Sequence, residues 1–455
     1  MIDNGLDTPT RYWAAFAVAL GTSLTVIDST VVNIALPIIA QEYQVSASQS
    51  ILVVNAYQLI VAMLLLPLAG LGDKLGYRNI FLCGFIAFIL ASIWCATANN
   101  FYSLVFARAL QGAGGAGVMC VGTAMLRFIY PPEMLGRGIG INAMVVAGSY
   151  ASGPSLASLI LSIADWPWLF LINIPLGILG VAVAYFAIPI NTLSSKRFDI
   201  ASALLSALTF GTMLLFVESI GHHQNIKIIG ILLVTLILVG TIFIRRQLSI
   251  KQPLFPVDLL ARPLFSLSVL TAVFSFCAQL IVLISLPFFL NSSLGYSSVK
   301  IGLLYTAWPV GIMCMAVIAG YLSDKFSAGI LGGIGLATAA IGFILLGQLS
   351  SSDTSLDVLW RLAMCGIGLG LFQSPNTRFL VSLAPRERIG SVSGLIGTIR
   401  LTGQTIGASI AAFMLFLFSE QYGRNSFTLA AIIMVIAMLF SIARTLPRFK
   451  TTQLY

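Results

Sequence analysis

Two residues of opposite charge lie inside long apolar runs of the sequence. Asp28 falls in the run over residues 12–38, and Arg108 falls in the run over 101–126. A charged side chain in a bilayer costs about 2.5–3.5 kcal/mol on insertion scales, so each of these residues needs cavity water or a partner. A carboxyl that is disfavoured in its charged form by burial and favoured by a cation can bind and release a proton. Asp28 is therefore the candidate for proton coupling, and the alternative is a structural acid that fixes the first helix to the fourth.

The composition of the chain places these charges in a membrane protein. Of 455 residues, 58% are hydrophobic and 9% are charged, and the mean hydropathy is +0.99. Soluble domains carry about 25% charged residues, so this chain cannot cover a globule with a water-compatible surface. The net charge of +9 does not indicate a nucleic-acid partner, because the basic residues are scattered between apolar runs. We predict an all-α membrane protein.

The apolar runs predict fourteen membrane-spanning helices, at about 20 residues per span. They lie near 12–38, 50–70, 79–98, 101–126, 138–162, 167–189, 199–220, 226–244, 264–290, 301–322, 329–349, 357–378, 391–418 and 426–446. With a cytoplasmic N-terminus, eighteen lysines and arginines fall in cytoplasmic segments, and four fall outside. This bias follows the positive-inside rule. We therefore expect both tails, 1–11 and 447–455, in the cytoplasm.

The two halves of the chain share a repeated pattern. The segments GLGDKLGYR around Asp73 and GYLSDK around Asp324 each follow the second helix of a six-helix block. Arg108 begins a glycine-rich helix 35 residues after Asp73, and Arg361 begins another 37 residues after Asp324. Duplicated halves around a cavity at mid-membrane are the usual plan of secondary transporters. We predict six-helix bundles over 12–189 and 251–446, with two helices inserted within 190–250.

Four stretches of the first half carry recognisable motifs in a fixed order. They are IDSTVVNIALP from Ile27, LGDKLGYR from Leu71, RALQG from Arg108, and Gly148 with Gly153-Pro154 before WPWLFLINIP from Trp166. Together they resemble the major facilitator superfamily, in its fourteen-span drug:proton antiporter branch. The sequence departs from the family pattern at Ala69, where the loop motif usually begins with glycine, and at Tyr77, where a basic residue is common.

The resemblance implies a fold, a mechanism and roles for several residues. The fold is the major facilitator fold, with two six-helix bundles and an inserted two-helix hairpin, and the mechanism is alternating access in exchange for protons. Arg108 would tune the proton site at Asp28, with an architectural hydrogen-bond donor as the alternative. Gly148, Gly153 and Pro154 would form the helix-five antiporter motif, since glycines let backbones approach closely and a proline can kink a helix.

A charged turn follows the second helix of each half. The first turn contains Asp73, Lys74, Gly76 and Arg78, and the second contains Asp324 and Lys325. A carboxylate such as Asp73 can engage a helix N-terminus and nearby arginines, and Arg127 and Arg137 are the candidate partners. We predict a cytoplasmic latch that forms when the halves close. The alternative is an ordinary charge cluster on a water-exposed face.

Aromatic and polar residues within the spans are candidates for a substrate cavity. They are Tyr57, Gln58, Gln279, Trp308, Gln373 and Asn376. Aromatic faces with few acids suit large amphipathic cations through cation–π contact. The alternative is that these side chains face lipid or the core. Arg400, a further arginine within a span, has no acid at matching depth, and we assign it a structural role.

Other chemistry has little support in the sequence. The six cysteines form no CxxC pair, and the only histidines are His222 and His223, so neither a disulfide framework nor a metal site is indicated. The phosphate-binding sequence GxxxxGK[ST] is absent, which excludes ATP-driven transport within this chain. No nucleophile–base set indicates an enzyme, and we expect no cofactor.

We predict a proton-coupled exporter of drugs or amphipathic, often cationic, compounds. One alternative is an exporter of a specific metabolite, such as a siderophore or an organic acid, that uses the same machinery. Another is a channel, sensor or assembly factor, although neither a selectivity-filter sequence nor an appended soluble domain is present. The expected partners are a small-molecule substrate, protons and the lipid bilayer. We expect a monomer in a bacterial cytoplasmic membrane.

Overall fold

The computed structural model describes residues 5–45, 47–50, 52–189, 198–221, 226–250, 253–296, 298–323, 325–350, 353–385, 388–417 and 422–446. Over these residues the chain forms helices and no strand. The fourteen main helices are α1 Thr10–Glu42, α2 Leu52–Leu75, α3 Tyr77–Ala96, α4 Phe101–Ile129, α5 Leu135–Ile163, α6 Asn173–Ala187, α7 Ile200–Gly221, α8 Ile226–Ser249, α9 Pro263–Leu294, α10 Ala307–Leu322, α11 Ala328–Gly347, α12 Ser355–Ser382, α13 Ile389–Leu417 and α14 Tyr422–Ala443. The predicted all-α fold is confirmed, and each predicted span overlaps one of these helices.

Two of the predicted spans are interrupted helices. A short helix, Trp168–Leu171, precedes α6, and another, Ser298–Tyr305, precedes α10. Pro175 and Pro309 follow the last residues of these short helices by four positions. Proline has no N–H for the carbonyl four residues earlier, and its ring clashes with that carbonyl. Each helix therefore breaks directly after the residue whose carbonyl has lost its donor.

The helices are long and strongly apolar. Within the described residues, twelve segments are long and apolar enough to cross a membrane, and α5 and α13 are not among them. These two helices contain many glycines and hydroxyl residues. Both pack against the other half of the molecule, α5 against α10 and α13 against α2.

The helix contacts repeat between the two halves. In the first half α3 packs on α4, α2 on α4, α1 on α5 and on α6, and α3 on α6. In the second half the helices eight positions later make the same pairs: α11 with α12, α10 with α12, α9 with α13 and with α14, and α11 with α14. The hairpin α7–α8 lies outside this pattern, and α7 packs on α2 and α13. The arrangement is two six-helix bundles with an inserted hairpin.

The halves meet closely at one end of the molecule, which we name the Asp73 end after the residue near the end of α2. A Cβ atom on Gly140 of α5 would lie 2.6 Å from the carbonyl oxygen of Ala316 of α10, and one on Gly320 would overlap the carbonyl of Gly136. A Cβ on Gly394 of α13 would lie 2.5 Å from that of Ala69. Glycine is required at these positions because the helix backbones touch.

Replacement of Gly320 should separate the halves at the Asp73 end. In Gly320→Leu the added side chain overlaps the backbone of α5, so the state with this end closed loses stability. Ser393 is 2% exposed, and its hydroxyl accepts a hydrogen bond from the amide of Ala124. We expect a cysteine at this position to be alkylated faster from the Asp73 end, on the order of tenfold. The measurement is site-resolved mass spectrometry after treatment of inside-out vesicles with an impermeant maleimide.

Gly230→Leu is the matched control, because nothing lies within 4 Å of a Cβ at Gly230. Equal labelling rates in the two leucine variants would contradict the assignment of the α5–α10 contact as a closure.

Candidate functional site

The two intramembrane charges Asp28 and Arg108 form a fully buried ion pair. Arg108 Nη1 of α4 lies 2.5 Å from Asp28 Oδ2 of α1, and neither side chain is exposed to solvent. Each charge is thus matched by the other, as the cost of an isolated charge in hydrocarbon requires. The pair joins the first helix to the fourth.

Two amide side chains complete the hydrogen bonding of the carboxylate. Gln111 Nε2 donates to Asp28 Oδ1 at 2.8 Å, and Asn173 Nδ2 donates to the same oxygen at 3.0 Å. Both amides also donate to Ser92 Oγ, at 2.8 and 3.4 Å. The carboxylate therefore accepts three hydrogen bonds, and the cluster ties α1, α3, α4 and α6 together at one point.

The guanidinium of Arg108 has further partners on three sides. Its Nη1 donates to Gln111 Oε1 at 2.5 Å and its Nε donates to the carbonyl of Val53 at 3.1 Å. Its central carbon lies 4.5 Å from the ring centre of Tyr57 and 5.6 Å from that of Phe170. Of the three guanidinium nitrogens of Arg108, only Nη2 has no hydrogen-bond partner among the described residues. The arginine is held in place, yet one of its donors is available.

A central cavity of 1300 Å³ lies between the halves and next to this cluster. Its wall is formed by side chains of both six-helix bundles and of α7. Asp28 and Arg108 do not line it, but Tyr57 does, and the ring of Tyr57 also stacks on Arg108. The hydroxyl of Tyr57 donates to the carbonyl of Thr25 at 3.3 Å. Tyr57 therefore contacts both the ion pair and the cavity.

All six residues proposed from sequence as cavity residues lie in this wall. They are Tyr57, Gln58, Gln279, Trp308, Gln373 and Asn376. Asn376 has a second contact, since its Oδ1 accepts a hydrogen bond from Arg444 Nη1 at 2.7 Å. That these residues bind a substrate stays a prediction.

The same wall contains polar atoms without partners. Among the described residues, Gln279 Oε1, Trp308 Nε1 and Arg400 Nε are buried and make no hydrogen bond. Arg400, to which we assigned a structural role from the sequence, therefore lies in the cavity wall. Its place could not be read from the sequence, because the apolar pattern of α13 does not say which face is turned inward.

The charged turn after α2 contacts the other half of the molecule. Asp73 Oδ2 accepts a hydrogen bond at 3.0 Å from Ser391 Oγ, in the first turn of α13, and Asp73 Oδ1 accepts one at 2.5 Å from Tyr77 of its own half. Gly76 adopts φ +96°, a conformation that side chains disfavour, and so permits the tight turn into α3. The Asp73 end thus includes a direct hydrogen bond between the halves.

The other predicted latch residues of this turn have different surroundings. Lys74 is exposed. Arg78 donates to the carbonyl of Tyr185 and lies 4.8 Å from the centre of that ring, so this contact stays within the first half.

The arginines expected beside Asp73 also reach the second half. Arg127 Nη1 donates to the carbonyls of Val381 and Ala384, at the end of α12, at 2.8 and 2.9 Å. Arg137 lies 4.6 Å from the ring centre of Tyr321, and Lys325 lies 4.9 Å from the same centre. Asp324 lies outside the described residues. A cation next to the carbonyls that end a helix is a favourable electrostatic contact.

The helix-five motif lies where α5 passes close to its neighbours. A Cβ on Gly153 would overlap Thr30 Oγ1 of α1, and one on Gly148 would lie 3.3 Å from the side chain of Met313 of α10. Pro154 falls within α5, and its side chain is outside the described part. The motif glycines therefore serve close packing within the first half and across to the second.

Sequence reasoning missed three residues around the ion pair: Gln111 and Asn173, which donate to Asp28, and Ser92, which accepts hydrogen bonds from both amides. Gln111 and Asn173 stand inside two of the motif segments, RALQG and WPWLFLINIP, so the signal was present but was not connected to Asp28. Among the described residues, no group of three or more histidines, cysteines or acids could hold a metal ion.

Comparison with known proteins identifies the family. The family model described as Major Facilitator Superfamily matches residues 18–408. The chain belongs to the major facilitator superfamily. The resemblance of the sequence motifs is confirmed, and the protein is a multi-pass membrane transporter of this superfamily and not an enzyme.

Relatives in the superfamily differ in what their names say they carry. The chain is 47% identical over 450 residues to the uncharacterized transporter YebQ of Escherichia coli K12, covering 98% of both chains. It is 29% identical to the riboflavin transporter RibZ of Clostridioides difficile, covering 86% of this chain and 85% of RibZ. It is also 29% identical to the putative multidrug resistance protein MdtD of Escherichia coli O9:H4, covering 96% of this chain and 93% of MdtD.

The ion pair of this superfamily member should show strong energetic coupling. Asp28→Asn leaves a buried arginine without a counter-charge, which should cost about 3–5 kcal/mol of unfolding free energy. The double variant Asp28→Asn/Arg108→Gln should lose less than the sum of the single losses, because it removes both charges. Denaturant unfolding of the purified proteins in detergent measures all three variants. Additive losses would mean that the two charges do not stabilise each other.

Proposed function

We propose that this transporter exports drugs or other amphipathic compounds in exchange for protons, with Asp28 as the residue that carries the proton. The observation that supports this most strongly is a completely buried carboxylate–guanidinium pair in contact with Tyr57, a residue that lines a large cavity. A buried ion pair is weak evidence for stability alone, since well-packed apolar residues often serve as well. Its position next to the cavity favours a role in transport.

The proton would be bound when the contact between Asp28 and Arg108 is loosened. In the described state the carboxylate of Asp28 accepts hydrogen bonds from Arg108, Gln111 and Asn173. A movement of Tyr57 or Arg108 that takes the cation away leaves a buried charge without compensation, and the carboxyl then takes up a proton. Restoration of the pair releases the proton. Proton binding would in this way follow the position of the helices.

The access of the cavity to each side would be controlled at the Asp73 end. The hydrogen bonds from Ser391 to Asp73 and from Arg127 to the end of α12 join the halves there. The distribution of lysines and arginines predicts that this end is cytoplasmic. We infer an outward-facing state, from which the transporter turns inward when these contacts break. Lys325 and Arg137, both next to Tyr321, would contribute a second contact at this end.

The substrate class has support from two sources. The cavity of 1300 Å³ exceeds the roughly 300–1,000 Å³ of most ligand pockets, which favours large amphipathic compounds. The similarity to MdtD favours drug export by this chain, whereas the equal similarity to RibZ favours transport of a single metabolite. Export of one metabolite, such as a siderophore or an organic acid, is the second candidate. We further propose a monomer in a bacterial cytoplasmic membrane with both termini in the cytoplasm.

Loss of the carboxylate should uncouple transport from the proton gradient. In proteoliposomes, Asp28→Asn should reduce the dye transport that a pH gradient drives to the background rate. Exchange of the dye across the vesicle membrane in the absence of a gradient should continue. Asp165→Asn is the matched control, because Asp165 is exposed and outside the ion pair. Full gradient-driven transport by a folded Asp28→Asn protein would leave Asp28 with a structural role only.

Loss of the Asp73 contact should favour the inward-facing state. Asp73→Asn weakens the bond from Ser391 by removing the charge of the acceptor, and Arg127→Gln removes the donor to Val381 and Ala384. We expect each variant to speed alkylation of a cysteine at Ser393 from the cytoplasmic side by about 2- to 10-fold, corresponding to about 0.5–1.5 kcal/mol per hydrogen bond. Lys74→Gln, an exposed change in the same turn, should have a smaller effect. An equal effect of all three would contradict the latch.

A further inference from the structure

Among the described residues, the wall of the central cavity contains one positive charge and no negative charge. Arg400 of α13 is the one charged residue among the described residues that line the cavity. The nearby Arg108 is already neutralised by Asp28. The described groups of the cavity and of the cluster behind it therefore sum to one positive charge, contributed by Arg400.

In the described part of the chain, no acidic group near Arg400 matches this charge. Among the described residues, Arg400 forms no ion pair with an acid, and its buried Nε makes no hydrogen bond. An arginine within a membrane-spanning segment ordinarily has a carboxylate, backbone carbonyls or water to offset the cost of burial. A bound anion would supply the missing counter-charge.

Neighbouring side chains in the same wall add donors and an apolar surface. Trp308 of α10 is 2% exposed, and its indole N–H has no partner among the described residues. Gln404, one helical turn after Arg400, and Gln373 of α12 also line the cavity. Much of the remaining wall is valine, leucine, isoleucine and aromatic residues. Such a site can hold an apolar body by contact and an acidic group by charge-assisted hydrogen bonds.

We propose that the cavity selects amphipathic organic anions, with Arg400 as the receptor of a carboxylate or similar acidic group. This inference rests on the proposed function as an exporter and names its substrate class. It departs from the expectation of cationic substrates that we drew from the sequence. A cationic ligand in this cavity would face Arg400 with no described acid to balance it, and like charges in a site of low dielectric constant repel strongly.

Selection of anions changes the energetics of transport. Export of a monoanion in exchange for an entering proton moves two positive charges inward per cycle. A membrane potential that is negative inside would therefore assist export together with the pH gradient. Exchange of a monovalent cation for one proton would move no net charge.

Equilibrium binding to the purified full-length protein tests the selectivity. The probes are two dansyl amides that differ at one end, dansylglycine with a carboxylate and a cationic analogue with a trimethylammonium group. Wild type should bind dansylglycine at least about tenfold more tightly than the cation. Arg400→Gln should weaken dansylglycine binding by at least about tenfold and leave the cation unaffected or bound more tightly, while Arg400→Lys should retain most of the anion affinity.

Arg245→Gln is the matched control, since it removes the same charge from an exposed position near the end of α8 and should change neither affinity. Equal or tighter binding of the cation by wild type, binding of neither dye, or an unchanged anion affinity in Arg400→Gln would each overturn the proposal. The wild-type comparison decides the question even where a variant fails to fold. Binding is measured without a gradient, so this test does not depend on proton coupling. If the protein selected anions but transported them without protons, the proposed coupling would be wrong and the anion selectivity would stand.

Discussion

The Asp28–Arg108 ion pair is the interaction on which the first six helices depend. A charge in the membrane interior must be matched, and here each member of the pair is the match for the other. Hydrogen bonds around the pair join α1, α3, α4 and α6. At Gly153, α5 also packs closely on α1. The position of Tyr57 then follows, because its ring covers the guanidinium on the side that faces the cavity.

The second half repeats the helix packing of the first without repeating its ion pair. Helix α9, which corresponds to α1, contains no acidic residue. Arg361, near the start of α12, instead pairs with the half-buried Asp353 at 3.7 Å. The unpaired polar atoms Gln279 Oε1, Trp308 Nε1 and Arg400 Nε instead belong to the second bundle. In our proposal the first half carries the proton and the second half contributes the main polar contacts to the substrate. Movement of one bundle against the other would couple these two tasks.

The helices and the two central charges could be predicted from the sequence for a physical reason. An apolar run of about 20 residues has few alternatives to a membrane-spanning helix, and an acid and an arginine at matching depth have few alternatives to pairing. The rotation of each helix about its axis could not be predicted, because helices such as α3 and α9 are apolar on all faces. Ser92 of α3 was for that reason not assigned to the cluster around Asp28. Gln111, Asn173 and Arg400 were not assigned because the sequence does not show which neighbouring helices they face. Pro175 and Pro309 explain the breaks at Ile172 and Thr306 but do not predict them, because Pro67, Pro287 and Pro375 lie inside unbroken helices.

The central claim is that Asp28 changes its protonation state during transport, and infrared spectroscopy tests it directly. The absorption of a protonated carboxyl group is recorded for the purified transporter during acidification from neutral pH, and the spectrum of Asp28→Asn is subtracted. The account predicts a carboxyl band that grows as the pH falls, is present in wild type and is lost in the variant. A carboxylate at Asp28 that stays ionised over the whole range in which the protein is folded and active would contradict it.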